Sequence, residues 1–263
     1  MSDAPEKKEE ELAEGTLMSH LLELRNRLMR AMLAVLIGFI PCMIYSNELF
    51  TIIAQPLLDK LPKGGMLIAT GVISPFMTPF KLSFFVALFA AMPYVIYQIW
   101  AFVAPGLYKR EKRFAVPLLL SSVVLFYAGV LFAYFAVFPV MFEYLTHSGP
   151  TGVIPATDIS NYLDFVLTMF FCFGVAFEVP VAVVLLVLTG IIRVEKLTEN
   201  RGYVIIGIFV VAAILTPPDA LSQCIMAVPM WLLYEAGVVT ARIMFKMKRD
   251  STEATDNEEA GAS

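Results

Sequence analysis

Long apolar runs alternate with short polar stretches along this chain, and most of the runs are long enough to cross a bilayer. The first change of pattern comes at Thr16. Beyond it Leu17, Leu21, Leu24, Leu28 and Met32 recur at three- and four-residue steps, one stripe of a helix. Glu23, Arg27 and Arg30 share another face. The pattern predicts an amphipathic helix that runs straight into a first span over about residues 28–45, with Pro41 at the position for a kink. Residues 1–15, acidic and polar, read as a disordered tail.

Residues 47–81 are too polar and too rich in proline and glycine to span. A short amphipathic helix is predicted around residues 49–61, followed by an extended piece. Non-helical backbone cannot face lipid, so this segment forms a cap outside the bilayer over about residues 46–81. The second span covers about residues 82–103 and ends in an aromatic belt of Tyr94, Tyr97, Trp100 and Phe102. The third covers about residues 116–138, and its Phe126, Phe132, Phe135 and Phe138 suit packing and lipid contact. A second outer loop takes residues 139–161, and the fourth span, about residues 162–188, contains Glu178 and Pro180. The fifth is short. Its 15 residues, 202–216, make about 22 Å of helix against a hydrocarbon core of ~30 Å. Only Pro217, Pro218 and Asp219 separate it from the sixth, residues 220–241. The last two spans therefore form a short hairpin beside which the bilayer thins. The expected architecture is an all-α integral membrane protein with six transmembrane helices over residues 16–242 and a cytoplasmic tail over residues 243–263.

Charge orients this arrangement. Lys109, Arg110, Glu111, Lys112 and Arg113 fill five consecutive positions between the second and third spans. Of the 19 Lys and Arg, only Lys60, Lys63 and Lys81 fall on the opposite side. By the positive-inside rule both termini are cytoplasmic, N-in and C-in. The N-terminus resembles neither a signal peptide nor a transit peptide, so the first apolar run is kept as a membrane anchor.

Composition adds exclusions. The chain is 59% apolar, with a net charge of only −4 whose acids concentrate in the tails, which argues against nucleic acid as a partner. Cys42, Cys172 and Cys224 each lie inside an apolar run and read as small buried hydrophobes. His20 and His147 are far apart, and no HExxH, GxSxG or Gly-rich phosphate loop is present. No metal, cofactor or catalytic centre is expected.

Four acids carry candidate chemistry. Glu111, the only acid in its block, reads either as a solvated partner of its neighbours or as a carboxylate in a partly dry pocket that takes an arginine bidentately. Glu23 reads either as an i,i+4 partner of Arg27 or as a second carboxylate on the same membrane face as Glu111, positioned for a cationic ligand. Glu178 lies inside a span, where an ionised side chain is costly unless it faces a cavity or a partner; the bland reading is a protonated or hydrogen-bonded Glu at the Pro180 kink. Asp219 reads as the N-cap of the sixth span, and Gln223 adds a polar patch one turn on, suited to contact with another membrane subunit. On these residues alone, a small proton-coupled carrier working at Glu178 stands as the alternative; an inverted repeat would support it, and none is found.

HLLELRNRL ahead of the first span, SPF followed by Lys81, FVAPGLYKREKR, the FEVP around Glu178 and LTPPD with Gln223 together resemble the TatC family of the twin-arginine translocase. The resemblance covers roughly residues 19–242. It implies a glove-shaped six-helix bundle that binds signal peptides with a paired-arginine motif. With single-span TatA-type and TatB-type partners such a bundle exports folded proteins on the proton motive force, as a homo-oligomer within a larger complex. It assigns Glu23, Arg25, Phe102 and Glu111 to signal-peptide binding, Glu178 to the concave membrane face and Pro56 to the periplasmic cap. Thr216, Asp219 and Gln223 would contact the partner subunits.

Overall fold

The computed structural model describes residues 4–59, 66–103, 112–147, 156–216 and 219–261. Helix α1, Ala4–Ile44, is one unbroken rod in which the amphipathic segment and the first span are continuous, with Pro41 inside its last turn. Helix also runs through most of the N-terminal stretch expected to be disordered. The residues there are largely Glu, Lys, Ala and Leu, all strong helix formers. The C-terminal tail behaves in the same way, since α10 extends over Ala220–Gly261.

The cap is more regular than its proline content foretells. Helix α2, Ser46–Leu58, buries Ile53, Ala54, Pro56 and Leu57. Strand β1, Met66–Ile68, pairs in parallel with β2, Ala156–Asp158, so the all-α expectation gains a small two-stranded sheet. Asp158 then organises the join. Its Oδ1 accepts from the backbone N–H of Ser160 (2.9 Å) and Asn161 (3.1 Å), capping α6. Its Oδ2 accepts from the backbone N–H of Thr70 (2.9 Å) and from the Thr70 hydroxyl (2.5 Å). The Thr70 hydroxyl, then its amide and that of Asn161, hold the Asp158 carboxyl at about 2, below its ordinary 3.8. A depressed folded-state value means the cap contributes fully above about pH 4 and is lost as pH falls from there toward 2. Thermal unfolding of wild type and Asp158→Asn should therefore differ at pH 6 and converge near pH 2; a gap that stays constant with pH would contradict this role.

Helix α3, Ser74–Val103, begins eight residues before the expected span; Pro75 falls in its first turn, where its missing N–H leaves no intrahelical bond unmade, and Pro79 follows one turn further in. The third span is likewise longer than expected. Helix α4, Lys112–Phe132, passes through a π-helical turn, Ala133–Val137, into α5, Phe138–His147. The wider turn relieves the clash that Pro139 would otherwise impose on the carbonyl four residues before it. Helices α6, Ile159–Phe177, and α7, Val179–Leu188, form a fourth apolar rod broken at Glu178. Short α8, Val194–Glu199, leads into α9, Arg201–Leu215, the 15-residue helix anticipated for the hairpin with α10. Among the described residues, five helical stretches are long and apolar enough to cross a membrane, and α9 is a shorter sixth.

The most extensive packing joins α1 to α3, α7 to α10, and α4 to α6. Small residues set these crossings. Gly38 lies against Ala87, Gly129 against the Phe173 carbonyl, Gly174 against the Phe126 ring and Gly237 against Pro180. The core has two parts. One, rich in aromatics, gathers Phe138, Phe142, Phe170 and Phe173 toward the cap; the other gathers Val181, Val183, Val184 and Val187 toward α8.

Candidate functional site

At the α1–α3 joint the structure brings together residues 71 or more positions apart. Arg27 donates twice to Glu23 Oε1, from Nε at 3.0 Å and Nη2 at 2.5 Å, and once to the side-chain oxygen of buried Gln98, at 3.4 Å. One turn earlier on α1, His20 stacks on Phe102 at the end of α3, with ring centroids 4.2 Å apart and planes 21° apart. Glu23 and Phe102, two of the residues singled out in the sequence, thus lie on one surface. Arg25 is exposed; two positions from Glu23, it projects from a different side of α1. Glu111 lies outside the described residues. The i,i+4 pair is real, yet it does not exhaust Glu23. The carboxylate remains partly exposed, and Arg27 takes only one of its oxygens.

Glu178 occupies the α6–α7 break, where the two parts of the core meet. Its backbone N–H turns back to the Val175 carbonyl (3.0 Å), tightening the last turn before Pro180. The Ser122 hydroxyl faces its carboxyl, and Ser122 in turn accepts from the indole N–H of Trp100 at 3.2 Å. Glu178 Oε1 is buried without a partner. An unsatisfied acceptor at this depth is costly.

At the α9–α10 turn Asp219 Oδ1 accepts from the backbone N–H of Ser222 at 2.8 Å, so Asp219 caps α10. That bond is the main cause holding its carboxyl below the ordinary range, with the Tyr144 hydroxyl a minor one. Thr216 is buried and donates to the Ala212 carbonyl at 2.8 Å; Gln223 is half-buried on the first turn of α10. Pro56 packs inside α2. None of these lies beside Glu23.

Two acids inside the apolar runs escaped the sequence reading. Asp164 pairs with Lys81 at 2.9 and 3.0 Å, tying α3 to α6. Glu235 accepts from Arg201 Nη2 at 2.8 Å, while Arg201 Nε and Glu235 Oε1 stay buried and unpaired. The rule that flags Glu178, a charge inside an apolar run, applies equally to Asp164 and Glu235. Among the described residues no group of three or more His, Cys, Asp or Glu could hold a metal ion.

Comparison with known proteins gives one answer. The family described as Sec-independent protein translocase protein (TatC) matches residues 19–229. The chain is 55% identical to the Sec-independent protein translocase protein TatC of Azotobacter chroococcum over 84% of this chain and 87% of that one. It is 48% identical to the TatC of Escherichia coli K12 over 90% and 92%. A crystal structure of a twin-arginine translocase receptor, TatC, superposes with a TM-score of 0.76 at 37% identity, covering 85% of this chain and 98% of that one. The motif order, the helical fold and these matches agree: the chain belongs to the TatC family of Sec-independent protein translocase subunits.

Proposed function

We propose that this chain is the signal-peptide receptor of a twin-arginine translocase. It lies in the bacterial inner membrane with six spans and both termini in the cytoplasm. Glu23, Phe102, Arg25 and Glu111 form the cytoplasmic surface that reads paired arginines. The apolar part of the signal peptide then passes along a concave face containing Glu178, below the cap that holds Pro56. TatA-type and TatB-type single-span subunits dock near Thr216, Asp219 and Gln223, several copies of the chain assemble, and the proton motive force drives export of folded cargo. The chain acts as a transport subunit without catalytic chemistry of its own.

The observation that carries this reading is the Glu23–Arg27 pair beside Phe102. A guanidinium, that of Arg27, already pairs with Glu23 in this structure, which supports the reading that this carboxylate can take one. An i,i+4 pair of this kind contributes only ~0.2–0.5 kcal/mol in an isolated helix, and with Glu23 partly exposed an incoming arginine could replace it. Lysine keeps the charge and lacks the fork.

The test is binding of a labelled signal peptide, Arg-Arg against Lys-Lys at the motif, to wild type and Glu23→Ala in nanodiscs. The reading expects a clear preference for Arg-Arg that shrinks several-fold in Glu23→Ala. Equal binding of both peptides to wild type would refute it.

A further inference from the structure

Residues 64–80, GGMLIATGVISPFMTPF, carry no charge and lie between Lys63 and Lys81. Within them the segment entering α3 exposes its apolar side chains. Val72 is 99% exposed, and Ile73 and Phe76 are each 65% exposed. This tip is held in place from both sides. Strand β1 pairs with β2 before it, and Asp158 clamps Thr70 two residues ahead of Val72. After it, the Ile73 carbonyl accepts from the backbone N–H of Phe76 (3.0 Å) and Met77 (2.9 Å), starting the helix. An apolar tip held out by this many bonds is a presented surface.

What covers it follows from continuity. Ile73, Phe76, Phe80 and Phe84 step by three, four and four, so they lie on one stripe of α3, exposed along its length. Phe80 packs edge-on against Phe39 of α1, centroids 5.1 Å apart, next to exposed Ile40 and Ile44. The stripe therefore merges into the lipid-facing wall of the first two spans. Length places its end. The 30 residues of α3 make about 45 Å of helix, the thickness of hydrocarbon plus both headgroup layers at ~40–45 Å. With the Phe102 end at one membrane surface, the first turn reaches headgroup depth at the other.

We propose that Val72, Ile73 and Phe76 form an interfacial anchor that dips into the phospholipid headgroup–acyl boundary on the cap side of the membrane. Its ligand is the bilayer itself. The anchor would fix the height of the cap over the spans, independently of how the cytoplasmic surface reads its peptide.

The experiment uses the full chain with Cys42, Cys172 and Cys224 replaced by Ala. Single cysteines at Val72, Ile73 or Phe76 carry an environment-sensitive fluorophore, in nanodiscs with or without brominated phospholipid. Labels at Asp59, exposed at the end of α2, and Phe84 are the water and lipid references. The anchor predicts that brominated lipid quenches the tip labels at least half as strongly as the Phe84 label, and that aqueous iodide quenches them several-fold less than the Asp59 label. Val72→Cys, whose side chain is wholly exposed, keeps the test open should Phe76→Cys disturb the fold. Iodide quenching equal to that at Asp59 would overturn the proposal in favour of a tip in water. Protection from both quenchers would overturn it in favour of a protein neighbour.

Discussion

Gly129→Ala is expected to separate α4 from α6 and lower the unfolding temperature in detergent by about 4–8 °C. A Cβ at this position would overlap the Phe173 carbonyl oxygen and stand 2.9 Å from its carbon and 3.0 Å from the Phe177 ring. Two effects compete. Alanine is intrinsically better than glycine in a helix by up to ~1 kcal/mol. Against that, forcing an atom into a packed contact costs ~1–3 kcal/mol, and more when the neighbour is backbone, which has no rotamer to move to. The clash wins, by roughly 2 kcal/mol, or about 2–4 °C for each kcal/mol in a domain of this size. Gly207→Ala is the internal control, since nothing lies within 4 Å of its added Cβ; it should be neutral or slightly stabilising. If Gly129→Ala melts at or above wild type, the close crossing does not bear on stability.

Glu111→Lys is expected to abolish selective binding of a paired-arginine signal peptide while leaving the protein folded in the membrane. The expectation rests on the receptor reading and on the sequence, where this one acid is surrounded by Lys109, Arg110, Lys112 and Arg113. Removing one partner of a buried, hydrogen-bonded charge pair costs about 2–5 kcal/mol, and every 1.4 kcal/mol is tenfold in affinity. Binding should fall by ~30-fold or more, and charge reversal adds repulsion. The control is thermal unfolding, which should stay within about 1–2 °C of wild type if Glu111 acts in binding alone. Unchanged peptide affinity would remove Glu111 from the site and leave Glu23 as its main carboxylate.

How much of this could be read from the chain differs from element to element. The spans were legible because lipid imposes one rule, that a long apolar run must be helix, and five such runs appear where the hydropathy places them. The 15-residue α9 and the break at Glu178 were legible for a similar reason: proline acts locally, whatever the fold around it. The helix ends were not. Pro75, Pro79 and Pro139 read as loop markers, while the structure keeps all three in helices: Pro75 in a first turn, where the missing N–H costs little, Pro79 in the second turn of α3, and Pro139 just past a π turn.

By itself the sequence determined the class, the apolar runs, the short helix before Pro217 and some of the acids worth asking about, because each depends on composition within about twenty residues. Tertiary structure alone decided who meets whom. Arg27 reaches Gln98, His20 covers Phe102, Asp158 clamps Thr70 across 88 positions and Lys81 finds Asp164. Such pairings depend on which helix faces touch, and those are chosen by shape, by Gly38 against Ala87 and Gly237 against Pro180. Between helices in lipid hydrophobicity is no guide, since the solvent is as apolar as the side chains, so close packing selects the neighbours and no local pattern along the chain encodes it.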